Sequence, residues 1–398
     1  MKLFEVPPDP CSTRHKRYSE LSFTYYQQTA RADMSRVRSL IEMLFSEFPE
    51  GEHKASLASL MRASDDGFDS AFFELFLHSL LRRLGCELEP EPMLGELGPS
   101  RPDFSVTLPN GTEVYVEAVV ANGKSNEKRR RDANLGVLYD YINEKLKSPR
   151  FFWRIEIVQF ANRAPRSKAV LRALQEHADT LDWAYLATRS NASALMEAAS
   201  ILIESNGWVF RFSPIPKRPE AFTKESRPLG WFPLERGWSA TKDQLRAQIS
   251  KKRKQHGTLD RPLVLAINAI QIDVDDEDFI DAVYGSEAVE VQYGPDHRPI
   301  QFTLTRARDG AWLDNKGTKH EHMPYILGFQ RLSPTNIALA KVCLYTNPYI
   351  RLDESFLMPN LPRLMPAQTC FNRVPGSSLA EIFGLPEGWP ENGEANEV

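Results

Sequence analysis

The chain has 398 residues, 42% of them apolar, a formal charge of −4 and a pI near 6.1. That supports a sizeable core and excludes a uniformly basic nucleic-acid coat. Cys11, Cys86, Cys343 and Cys370 lack CxxC spacing, which argues against a zinc ribbon or a disulfide framework. With no apolar run of about 18 residues and no signal-peptide start, the expectation is a soluble, cytoplasmic protein without a membrane partner.

In chain order, residues 1–65 start Pro-rich and irregular and then turn helical from about Tyr18, with Ser35 as an N-cap; they read as a helical cover without chemistry. Asp69 and Ser70 open an apolar helix over 71–84, stopped by Gly85. Strands follow at 86–89, 103–108 and 113–121, then a charged helix over 126–146 and an aromatic, β-branched strand over 151–158. Residues 66–160 therefore read as one αβββαβ core. Helices at 167–182 and 192–205, a strand at 208–213, a Pro-rich connection over 214–233 and a helix at 241–255 come next. The unbroken apolar run 262–268 is a buried strand, closing an α/β continuation of the core over 161–270. Region 271–385 is strand-rich, with short strands around Val289, Phe302 and Leu327 and at 338–345, and the acidic tail 386–398 reads as disordered.

The hairpin holds the chemistry. In Leu108-Pro109-Asn110-Gly111, proline suits the second position of a type I turn and glycine the left-handed residue after it. A three-residue loop pairs Leu108 with Thr112 and sets Asp103 opposite Glu117; a two-residue loop would turn Asp103 to the other face. Carboxylates among apolar neighbours are costly to bury unless paired or metal-bound. Glu74, on the flank of the apolar face of helix 71–84, can reach the same sheet. Residues 124–172 carry 13 Lys/Arg against 5 Asp/Glu, whereas 87–117 hold seven acids against Arg101 alone. An acidic pocket beside a basic flank suits a metal and a phosphate, although both can be ordinary solvated surface.

The helix with Glu74, then Arg101-Pro102-Asp103, then Val116-Glu117-Ala118-Val119 in this order resembles the PD-(D/E)XK nuclease superfamily, over residues 66–160. The resemblance implies a restriction-endonuclease-like fold in which Asp103 and Glu117 hold Mg²⁺ (or Mn²⁺), assisted by Glu74. It implies metal-assisted hydrolysis of phosphodiester bonds, in DNA ahead of RNA, in a setting such as defence against foreign DNA. Val119 stands where that superfamily carries lysine. A displaced cation commonly comes from the following helix, which points to Lys124 or, better, Lys128, with Arg129, Arg130 and Arg131 as a clamp on the phosphate backbone. The alternative is a catalytically inactive relative that binds nucleic acid or a partner protein; a homo-oligomer is also open.

Four other features are weaker. Asp273 to Asp278 suits a helix cap better than a calcium loop, and His320 and His322 could bind zinc only with a distant third ligand. Lys251 to Lys254 reads first as a solvated helix end, and Trp231 and Trp238 as core aromatics before base-stacking ones.

Overall fold

The computed structural model describes residues 1–5, 12–93, 101–123, 125–187, 199–222, 226–231, 241–256, 259–270, 274–314, 317–318, 322–350, 358, 360–366, 371–386 and 388–391. Four helices open the chain: α1 (Ser22–Gln28), α2 (Ala32–Glu47), α3 (Glu52–Ala63) and α4 (Asp65–Arg83). The α4 helix starts a turn before Asp69 and Ser70, because the Ser64 hydroxyl accepts the Gly67 N–H at 3.0 Å and Phe68 is already buried. It ends as expected at Gly85, whose φ of +84° lets the Cys86 N–H reach back to the Leu81 carbonyl at 3.0 Å. Ser35 is not an N-cap. It lies inside α2, where Arg38 donates to its hydroxyl at 3.0 Å.

Strands β1 (Glu87–Pro90), β2 (Phe104–Thr107) and β3 (Glu113–Ala121) follow. Next come α5 (Asn126–Lys145), β4 (Phe151–Gln159), α6 (Ser167–Thr180), α7 (Trp183–Ala187), β5 (Ile201–Ser205), β6 (Trp208–Pro216) and β7 (Leu229–Trp231). After these the chain forms α8 (Thr241–His256), β8 (Leu263–Ala269), α9 (Asp276–Tyr284), β9 (Glu287–Tyr293), β10 (Pro299–Arg306), β11 (Leu313–Asp314) and β12 (Gly317–Thr318). It closes with β13 (Tyr325–Gln330), β14 (Lys341–Thr346), β15 (Arg363–Pro366), β16 (Phe371–Val374) and α10 (Leu379–Phe383). The expected helix over 192–205 is overturned at its end, where β5 pairs antiparallel with β6; residues 188–198 lie outside the described residues.

The protein is mixed α/β and divides into two compact units: 1–14, 21–123 and 240–398 form the first, 15–20 and 124–239 the second. In the first unit one eight-stranded sheet runs β1-β2-β3-β8-β13-β14-β15-β16. The β2–β3 hairpin is antiparallel, β3, β8 and β13 are parallel, and β8 is buried along its whole length. One sheet face packs on α1–α4 through Phe72, Phe73, Phe76, Val116 and Phe329; the other packs on α8 and α9 through Leu245, Ile249, Phe279 and Val119. The second unit has its own four-stranded sheet, β5-β6-β4-β7, around Trp153, Trp208, Phe210, Leu138 and Val170.

This division corrects the expected organisation. The span 66–160 is not one core, because β4 pairs with β6 and β7 instead of joining β1–β3. The partner of β3 is β8, reached only after the whole second unit. Nor is 271–385 an extension, since β13 to β16 are half of the main sheet. The tail is in part ordered: the Trp389 indole donates to the Pro334 carbonyl at 3.2 Å, and Arg36 donates to the Pro390 carbonyl at 2.8 Å.

Candidate functional site

Turn chemistry sets the hairpin register. The Leu108 N–H donates to the Thr112 carbonyl at 2.8 Å, and Gly111 takes φ of +84°, so the loop has three residues. Thr107 then faces Glu113 and Phe104 faces Val116, and one further step sets Asp103 opposite Glu117. Asp103 is tied down at this point. Its Oδ2 accepts the Ala118 N–H at 2.6 Å, and its carbonyl accepts the Glu91 N–H at 2.9 Å.

Glu117 is only 2% exposed, and Lys252 Nζ donates to its Oε1 at 2.6 Å. Lys252 sits near the end of α8, three residues after the buried Ile249 and seven after the buried Leu245. That spacing turns it onto the face α8 lays on the sheet, while neighbouring Lys251 is exposed. Val119 is 5% exposed in the apolar cluster with Leu245 and Ile249. An ammonium at 119 would enter that cluster without a partner, so here the amine comes from the helix instead.

Glu74, on α4, accepts from His53 Nε2, and His53 Nδ1 lies 3.0 Å from Glu91 Oε1. An imidazolium can donate to both at once. Burial pulls the His53 pKa down, but the hydrogen bond to Glu74 and the charges of Glu74, Glu91 and Asp103 prevail and hold it above its ordinary value. The Asp103 carboxyl goes well above the ordinary carboxylate range. Burial is the main cause, the Glu117 and Glu74 charges add to it, and the Ala118 N–H and Lys252 oppose it. The three acids and one lysine thus act on one another across α4, the hairpin and α8.

The lysine found on Glu117 is Lys252, where the sequence points to Lys128. The physical reason is topological: the helix that follows β3 within its own sheet is α8, not α5. Lys128, Arg129, Arg130 and Arg131 belong to α5 in the second unit, and Lys124 lies outside the described residues. His53 comes from a segment read as having no chemistry. The signal for Lys252 was available as the Leu245, Ile249, Lys252 stripe; for His53 none was, because only folding brings α3 to α4.

Among the described residues no group of three or more His, Cys, Asp or Glu side chains is disposed to hold a metal ion. Two carboxylates remain a suitable donor set for Mg²⁺, which commonly takes one or two protein carboxylates and fills the rest of its shell with water and phosphate oxygens. A cation would relieve the crowding that raises Asp103. No protein-family model, curated protein or solved structure matches this chain.

The remaining candidates resolve simply. Asp275 caps α9 in a reciprocal box with Asp278, as expected, and Asp273 lies outside the described residues. His320 is also outside them, and the His322 carbonyl accepts the Leu263 N–H at 2.8 Å. Trp238 and the side chain of Trp231 are likewise not described. Among the described residues no helix is long and apolar enough to cross a membrane.

Proposed function

We propose that the first unit is a PD-(D/E)XK-type nuclease core that hydrolyses phosphodiester bonds, in DNA ahead of RNA, with a divalent cation. The observation that carries this reading is the meeting of Asp103, Glu117 and Lys252 at the mouth of one hairpin. The order α4, β1, β2, β3, α8, β8 supports it, being the αβββαβ order of that fold with residues 124–239 inserted. Asp103 and Glu117 would hold Mg²⁺ or Mn²⁺, with Glu74 beside them. Such an ion supplies Lewis-acid polarisation of the phosphate and a more acidic water. Lys252 takes the part of the missing strand lysine: its amine neutralises Glu117 and can donate to a phosphate oxygen as charge develops there. His53 fixes the orientation of Glu74.

A second reading is a nuclease-fold protein that binds nucleic acid without cutting it. It is favoured by the ion pairs themselves, because Lys252 and His53 already answer Glu117 and Glu74 as a structural network would. The test is incubation of the protein with plasmid and single-stranded DNA in Mg²⁺ or Mn²⁺, beside Asp103→Asn and Glu117→Gln. Cleavage lost in both variants supports the nuclease. Binding without cleavage in either metal selects the second reading, and cleavage surviving both substitutions sinks the assignment of the site.

A further inference from the structure

The two units carry opposite charge. Within the bounds of the first there are 27 Lys/Arg against 39 Asp/Glu, a balance of −12; within the second there are 22 against 14, a balance of +8. A unit of net −12 that also concentrates carboxylates at its site repels a polyanion, so attraction for one must come from another surface. We infer that the inserted unit is a docking surface for the phosphodiester backbone of nucleic acid, formed by Arg129, Arg130, Arg163, Arg166 and Lys168. The inference rests on the nucleic-acid substrate proposed above and assigns its capture to residues outside the carboxylate site.

The surface is built on a fixed backbone. Ser125 caps α5 by accepting the Lys128 N–H at 3.1 Å, and the next turn exposes Arg129 and Arg130. Arg131 instead lays its guanidinium over the Phe160 ring, 4.9 Å from the centroid, which ties the start of α5 to the segment leaving β4. That segment is clamped by the β5–β6 hairpin. Trp208 Nε1 donates to the Arg163 carbonyl at 2.6 Å, Asn206 Nδ2 to the Ala164 carbonyl at 2.7 Å, and Ser205 Oγ accepts the Arg166 N–H at 2.8 Å. With the backbone held, the Arg163 and Arg166 side chains stay exposed, and Lys168 is exposed in the first turn of α6. Glu127 and Asp132 are the acids on the same turns of α5, against four cations from Lys128 to Arg131.

An anionic membrane is the rival polyanion. Membrane-surface helices bring an apolar face to the lipid, whereas Leu135, Leu138 and Ile142 of α5 and Val170 and Leu174 of α6 are buried in the unit's own core. Nucleic acid is the better match, since guanidinium groups on a fixed frame suit phosphate oxygens.

The test is binding of the full chain to a short fluorescent DNA duplex in EDTA, between about 50 and 200 mM NaCl. Engagement of four or five phosphates predicts a slope of about −4 in log affinity against log salt. Arg129→Glu with Arg130→Glu, and separately Arg163→Glu with Arg166→Glu, should each make the slope shallower by about 2 and weaken binding about tenfold or more. Their melting temperatures should match wild type, the charges being exposed. No binding by wild type in EDTA overturns the inference, as does unchanged binding by both pairs, or binding of phosphatidylserine vesicles in place of DNA. Binding that behaves as expected without cleavage in Mg²⁺ counts against the nuclease reading alone. Cleavage that is indifferent to both charge reversals counts against the docking surface alone.

Discussion

The two units of this chain handle charge in opposite ways. In the first, carboxylates are drawn inward: Glu117 is buried at the sheet, Asp103 is held against its own hairpin, and each has a like charge for a neighbour. In the second, Arg129, Arg163 and Arg166 stand exposed on a frame of aromatic packing and backbone hydrogen bonds, over a core of Trp153, Trp208 and Phe210. Burying charge costs stability and creates reactivity; exposing it costs little and creates long-range attraction. The proposed division of labour, chemistry in the first unit and capture in the second, would use this contrast.

The largest expected effect breaks the first half of that contrast. Asp103→Asn or Glu117→Gln should reduce metal-dependent cleavage by about 10³-fold while the full chain still binds DNA, measured as initial rates beside binding in EDTA. Trp153→Ala tests the second half. Removing this fully buried side chain should cost about 3–5 kcal/mol in the inserted unit and abolish DNA binding, read by urea unfolding followed by Trp fluorescence. Preserved binding would show that the basic surface does not depend on that core.

A smaller effect sharpens the boundary between the units. Lys252→Met should lower kcat about 10²-fold with KM little changed, because it removes an amine from Glu117. Lys128→Met, on the basic unit, should act mainly on KM and by less. The reverse pattern would return the displaced lysine to α5.

Much of this was legible in the sequence, and the limits are instructive. Pro109 to Gly111 chose the register, and the register brought Asp103 to Glu117, because turn chemistry is local. Glu74 was legible as an acid on the flank of the apolar face of helix 71–84. What local signals cannot report is which strand a segment pairs with. The strand at 151–159 has the same aromatic, β-branched texture whether it joins β3 or β6, and its nearness in sequence favoured the wrong partner. The same ambiguity extends to the lysine: Lys128 lies on the helix next in sequence, whereas Lys252 lies on the helix next to β3 in its own unit. His53 depended on tertiary packing alone.

The smallest expected effect is thermodynamic. The folded state holds the Asp103 proton more tightly than the unfolded chain does, so the stability linked to that proton is full below about pH 4 and is lost as pH rises through the raised value. In metal-free buffer Asp103→Asn should therefore melt close to wild type at acidic pH and a few degrees above it at neutral pH, worth about 1 kcal/mol. A variant less stable than wild type at neutral pH would mean that the carboxylate is held comfortably and is not under strain.

The most direct measurement is titration of the metal-free protein with Mn²⁺, followed by the loss of the free-ion paramagnetic signal, for wild type, Asp103→Asn and Glu117→Gln. The account predicts a bound ion in wild type whose affinity falls at least about tenfold in each variant. It also predicts a rise in wild-type stability of about 1.4 kcal/mol at ten times Kd. Equal binding by all three proteins, or none by wild type, would contradict it.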